Sequence, residues 1–357
     1  MTPHTKRLHI CAGARQCGLS LIELMVAMTI GAVLIFGATQ VYINSRNSYG
    51  INESVARLQE TARYAMAIIE PDIRMANYWG LVNSTPTAIA APGTALACGA
   101  NFAVDVGNNL QGSNNAYRLD VGAPACDNVP DFTSGVAWAT TPVTTADTLT
   151  VRRASALPIV PSSVATIGVM QICSTRSTGV MEVNGAACSA PPAGQINNYL
   201  VNAYYIDRNS LQQANLPSLR RKTLSSVQGG VPRIFDQEII PGVEDMQIQF
   251  GIDPTGNTGV VTRYVNPDAV PFGALVVAVR VWLLVRSDSP EAGFTDARVY
   301  QYGDRVGAGV TGDLNSVAAA GIPYQPSANP DASFLGPQHF RRLLVSRTIF
   351  VRNALDQ

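Results

Sequence analysis

Histidine and lysine are almost missing from this chain of 357 residues: the only histidines are His4, His9 and His339, and the only lysines are Lys6 and Lys222. A multi-histidine metal centre is excluded from everything after residue 9, and a Ser-His-Asp triad would have to be built on His339 alone. A phosphate-binding loop lacks its Gly-Lys-Ser/Thr. Charge is scarce too, at 14% of residues, and 25 basic side chains balance 25 acidic ones. Zero net charge provides no basic field for nucleic acid. Apolar residues, at 46%, are ample for a core.

The first 18 residues carry Lys6, Arg7 and Arg15 and no acidic side chain, and from Gln16 to Ser45 the only charge is Glu23. Leu24 to Ile43 is a run of 20 uncharged residues, 15 of them apolar. At a helical rise of about 1.5 Å per residue it spans about 30 Å, the thickness of a bilayer core. The run is longer than the apolar region of a cleavable secretory signal. The basic flank predicts a cytoplasmic N-terminus and an outward-facing remainder. Glu23 is the anomaly, because a carboxylate at the start of a span costs up to about 2.5–3.5 kcal/mol unless it finds a partner.

Beyond the span, Val55, Leu58, Ala62, Ala65, Ile69 and Ile73 recur at helical spacing, with Glu53, Arg57, Glu60 and Arg63 elsewhere. One helix is expected from about Ser20 to about Asn77, interrupted at Pro71 and stopped at Gly80. Gly31 and Gly37 mark places where it could unwind on assembly. Residues 80 to 146 read as a long irregular region with few short strands. Met246, Ile248, Phe250 and Ile252 alternate with Gln247, Gln249 and Asp253, which predicts a half-buried strand. Ala274 to Val285 reads as a central strand covered on both faces, one of them by the helix. Further strands are expected over Thr148–Arg153, Tyr199–Asp207 and Arg342–Arg352. A helix followed by strands gives an α+β fold with an antiparallel sheet and long irregular insertions. Asp253-Pro254-Thr255-Gly256-Asn257 is expected to form a turn rather than a calcium loop. Arg220, Arg221 and Lys222 read as a charge-protected strand edge.

The stretch Gly18-Leu19-Ser20-Leu21-Ile22-Glu23-Leu24-Met25-Val26-Ala27 resembles the prepilin signature of type IV pilins and type II secretion pseudopilins. Four further stretches are similar to the PilW family of minor type IV pilins: Leu58–Tyr64 with Asp72–Ala76, Gly242–Gly251, Val279–Arg286 and Arg341–Asn353. The resemblance implies a pilin-like fold and four sections: a leader over 1–18, a membrane or filament-core half-helix over 19–45, an amphipathic half over 46–79, and a β-rich head over 80–357. It also implies cleavage between Gly18 and Leu19 by prepilin peptidase, N-methylation of Leu19, and pairing of Glu23 with a neighbouring subunit's terminal amine. Leu19 stands where the family usually has Phe. The implied partners are other major and minor pilins, the peptidase and the inner membrane, with the cell-surface pilus as destination. No small-molecule substrate, cofactor or metal is implied, and no strong nucleic-acid signal is present. A minor pseudopilin of type II secretion shares the same features, and a membrane-anchored periplasmic enzyme is the reading from another class.

Removal of the leader leaves Cys98, Cys126, Cys173 and Cys188 in an extracytoplasmic setting, where an even count predicts two disulfides. Among the three connectivities, Cys98–Cys126 and Cys173–Cys188 are favoured because each closes a loop within one irregular segment. Each contributes roughly 3–3.6 kcal/mol in the chain-entropy account.

Overall fold

The structure is a computed structural model that describes residues 20–82, 89–90, 102, 104–119, 129–159, 169–183, 194–225, 232–256, 258–291, 293–306, 323–326 and 337–354. Helix α1 runs Leu21–Arg74. The chain divides into two compact units, one up to Glu53 and one from Ser54 onward.

In the first unit α1 starts at a cap: Ser20 Oγ accepts the backbone N–H of Glu23 at 3.2 Å, which satisfies one of the orphan donors of the first turn. The hydroxyls of Thr29 and Thr39 donate to Val26 O and Ile35 O one turn back, at 2.9 and 2.8 Å. Both threonine hydroxyls of the apolar run are thereby satisfied within the helix, as a lipid surrounding demands. The helix is continuous through Gly31 and Gly37.

Among the described residues the second unit holds the rest of α1 and twelve strands: β1 (Ile89–Ala90), β2 (Leu110–Ser113), β3 (Thr148–Ala154), β4 (Met170–Ser174), β5 (Gly179–Val183), β6 (Gln195–Asp207), β7 (Ser218–Ser225), β8 (Arg233–Pro241), β9 (Val243–Asp253), β10 (Arg263–Val265), β11 (Leu275–Arg286) and β12 (Arg342–Phe350). They make two sheets rather than the single expected one. Four strands lie in the order β10-β9-β11-β12, all antiparallel. The other sheet has eight, in the order β1-β5-β4-β6-β3-β2 with β7 on β6 and β8 on β7; only β1 with β5 is parallel.

One apolar cluster joins α1 to both sheets. Leu58, Ala62, Ala65, Ile69 and Ile73 pack with Val279, Val281, Leu283 and Val285 of β11 and with Val151 and Tyr204 of the larger sheet. Ile69 is wholly buried, so its removal from water contributes about 1.5–3 kcal/mol and its truncation to Ala costs about 2–5. The opposite face of β11 is also covered, with Leu284 and Trp282 against Tyr300, Tyr302 and Tyr324. Val55, expected on the apolar stripe, is exposed.

Several expectations are corrected. Pro71 does not break α1, which runs on to Arg74; Met75 N–H still donates to Pro71 O. The helix then stops well before Gly80, in a turn whose Asn77 takes the left-handed φ of 64°. The C-terminal segment closes that end, with Arg352 N–H donating to Arg74 O and Asn77 Nδ2 to Asn353 O. Gly80, at φ +84°, instead allows close approach to β4, where a Cβ would lie 2.4 Å from Ser174 Oγ.

Strand β9 is buried on both faces. Gln247, Gln249 and Asp253 all lie inside, and Gln247 is covered by Thr145 and by the segment around Tyr302–Arg305. Strand β7 is no edge: it lies between β6 and β8, and Arg220 and Lys222 are completely buried.

Candidate functional site

The N-terminal part of α1 presents apolar side chains all round. Leu21, Ile22, Met25, Met28, Val33 and Phe36 are each exposed, and no residue of its most apolar window is buried within the protein. The helix is long and apolar enough to cross a membrane. Glu23 sits in its first turn, where a carboxylate complements the positive end of the helix dipole. It is exposed among these apolar neighbours. Gly18 and Leu19 lie outside the described residues. Ser20, which the sequence reading passed over, forms with Glu23 the Ser-x-x-Glu spacing of a capping box and could have been found from that spacing.

In the second unit the helix is tied down by one carboxylate. Asp72, nearly buried, accepts from Arg153 Nη2 at 2.7 Å and Nε at 3.0 Å, from Asn202 Nδ2 at 2.6 Å and from Tyr204 OH at 2.6 Å. The donors come from β3 and β6, which fixes the helix against the larger sheet. Burial, followed by the Asp72 charge, pushes the Tyr204 phenol well up, so it remains a donor.

A second buried cluster joins segments that the sequence alone placed in one family pattern. Arg342 at the start of β12 holds Glu244 of β9 in a fork, Nε to Oε2 at 2.6 Å and Nη2 to Oε1 at 3.1 Å. Arg286, at the end of β11, lies 3.7 Å from the same carboxylate. The three segments around 242–251, 279–286 and 341–353 thus meet at Glu244.

The basic run on β7 pairs internally. Arg220 contacts Asp236 at 2.5 Å and Asp131 at 3.1 Å, and its guanidinium lies 3.9 Å over the Trp138 ring. Lys222 Nζ is 2.6 Å from Asp236 and 2.7 Å from Thr140 Oγ1. These charges are not available to DNA.

The turn after β9 is built on Asp253, which accepts the backbone N–H and hydroxyl of both Thr255 and Thr258 and the N–H of Gly259. The Thr255 hydroxyl, then that of Thr258, holds this carboxyl well below the usual range. The turn reading holds for its described residues; Asn257 lies outside them. His339 has Nδ1 2.7 Å from Phe294 O. Cys173 is disulfide-bonded. Cys98, Cys126 and Cys188 lie outside the described residues, and so do both favoured pairings.

An exposed apolar helix with a carboxylate in its first turn, followed by an α+β unit with the helix packed on antiparallel sheets, defines the type IV pilin class. Residues 13–39 match the family model described as Prokaryotic N-terminal methylation motif, and residues 203–353 match that described as Type IV Pilus-assembly protein W. These two matches support a type IV pilus-assembly protein W with an N-terminal methylation motif and a minor-pilin role in pilus assembly. Comparison with curated proteins and with solved structures gives no match. The family match runs from the middle of β6 through β12, so it contains the Glu244 cluster and the basic run of β7.

Proposed function

We propose that the protein is a structural subunit, not an enzyme, that enters the inner membrane with its N-terminus cytoplasmic. Prepilin peptidase then cuts it between Gly18 and Leu19, Leu19 is methylated, and α1 carries the subunit into the pilus or its tip complex alongside other major and minor pilins. The observation that carries this reading is the exposed apolar surface of Leu21–Ile43 with Glu23 as its one carboxylate. Such a surface is stable only in lipid or among other apolar helices.

Moving from one surrounding to the other exchanges lipid contacts for helix packing, so apolar burial alone barely distinguishes them. Glu23 does distinguish them. In lipid its charge has no fixed partner, whereas in a filament the terminal amine of a neighbouring Leu19 provides one and fixes the axial register. Glu23→Ala is expected to leave insertion and cleavage intact while depleting the subunit from sheared filaments, as read by immunoblot of membrane and filament fractions. Undiminished incorporation of the variant would refute the pairing.

A further inference from the structure

Asp304 sits at the convergence of three asparagine side chains from separate parts of the second unit. Its Oδ2 accepts from Asn115 Nδ2 at 2.7 Å, Asn114 Nδ2 at 2.9 Å and Asn266 Nδ2 at 3.2 Å. Asn114 and Asn115 follow β2, Asn266 follows β10, and Asp304 lies in the turn between Tyr302 and Arg305. Asp304 is 3% exposed and Asn266 4%.

Of the other oxygens only Asn115 Oδ1 has a donor, Gln247 Nε2 at 3.4 Å. Asp304 Oδ1, Asn114 Oδ1 and Asn266 Oδ1 are all buried and have no hydrogen-bond partner. Buried polar atoms are rarely left so, and three at one place call for a missing positive group. The amide nitrogen and oxygen of asparagine are close to isosteric, so a half-turn of each side chain exchanges them. With nitrogens inward the amides solvate Asp304 alone. With oxygens inward, the same four side chains form a cage of hard oxygen donors.

The ion pairing agrees. Asp147, Asp245 and Asp304 are buried together with Arg305, whose Nε lies 2.7 Å from Asp245 Oδ2. Asp147 is near enough to feel the charge of Asp304 and is already engaged by the backbone N–H groups of Asn115 and Ile248. Arg305 matches Asp245, whereas Asp304 has no cation within ion-pair distance among the described residues.

We propose that Asp304 with the side-chain oxygens of Asn114, Asn115 and Asn266 binds a calcium ion. Neutral amide oxygens around one carboxylate suit calcium, which accepts six to eight oxygen ligands at about 2.3–2.6 Å, better than magnesium, which retains its water. No contiguous calcium motif marks the site because its ligands come from three distant stretches. The ion ties the loop after β2 to the segment that follows β10 and to the covering segment at 302–305.

The test uses the full-length protein in detergent, stripped with chelator, with calcium or magnesium chloride added back. Calcium is expected to raise the thermal midpoint by several degrees at concentrations where magnesium does not, and desalted protein is expected to retain about one calcium per chain. Asp304→Asn keeps the shape, removes the charge and should lose both responses. If that variant does not fold, Asn114→Ala takes its place and should raise the calcium needed for half-maximal shift about tenfold or more. No calcium retention and no midpoint shift in the wild type would overturn the site, as would an Asp304→Asn or Asn114→Ala protein that responds like the wild type.

Discussion

Arg153 of β3 donates two hydrogen bonds to Asp72 Oδ1 of α1, from Nε at 3.0 Å and Nη2 at 2.7 Å, across 81 positions of sequence. The pair is nearly out of water, with Asn202 and Tyr204 filling the other oxygen of the carboxylate. Asp72→Ala would leave the Arg153 guanidinium partly buried without its counter-charge. The expected loss is about 3–5 kcal/mol. Thermal or urea unfolding of the detergent-solubilised protein measures it, and a change within 0.5 kcal/mol, roughly that of an ordinary surface substitution, would contradict the anchoring role.

On β7 the two cations share one carboxylate, and this makes their substitutions unequal. Asp236→Ala strands Arg220 with Asp131 and the more distant Glu238, and leaves Lys222 with Thr140. Lys222→Met leaves Asp236 still paired with Arg220 and with the Tyr205 hydroxyl at 2.5 Å. Asp236→Ala is expected to cost at least about 3 kcal/mol and Lys222→Met clearly less. Urea midpoints of the two variants give the order, and the reverse order would contradict it.

Asp253 provides a pH dependence with a defined sign. Its folded pKa lies below the ordinary carboxylate value of about 4, so its contribution is fully present above that value and is lost as pH falls through the folded pKa. The wild type should therefore exceed Asp253→Ala in thermal midpoint at pH 6, and the gap should narrow progressively below about pH 4. A gap that is constant from pH 6 to pH 2 would show that the Thr255 and Thr258 hydrogen bonds do not depend on the charge.

Cys173 is disulfide-bonded on β4, and the expected partner is Cys188. Non-reducing peptide mapping should recover the peptides of Cys173 and Cys188 as one species and those of Cys98 and Cys126 as another. Recovery of Cys173 joined to Cys98 or Cys126 would overturn that connectivity.

Elements whose evidence lies within one stretch of chain were legible in the sequence. The apolar span, the stripe from Leu58 to Ile73, and strands β3, β6, β11 and β12 all follow from local periodicity. What was not legible depends on distant partners. Gln247 and Gln249 look like a solvent face, yet both are buried, and the cover over Gln247 comes from Thr145 and Tyr302–Arg305, in segments with no periodicity of their own. Arg220 and Lys222 look like an edge because their shared counter-charge, Asp236, lies on the next strand and Asp131, the second partner of Arg220, lies far upstream of β7. Asp72 shares its helical face with the apolar residues, but only the fold shows that Arg153, Asn202 and Tyr204 wait there. Glu23 was recognised from a single charge in a long uncharged run, whereas its cap Ser20 follows only from attention to the three-residue spacing.

The central claim is that this chain matures as a pilin, and mass spectrometry of its N-terminal peptide tests it most directly. Peptides are taken from membrane and sheared-filament fractions of cells with and without prepilin peptidase. The account predicts an N-methylated Leu19 terminus that disappears in the peptidase-deficient cells. A terminus upstream of Leu19 in both strains would contradict it.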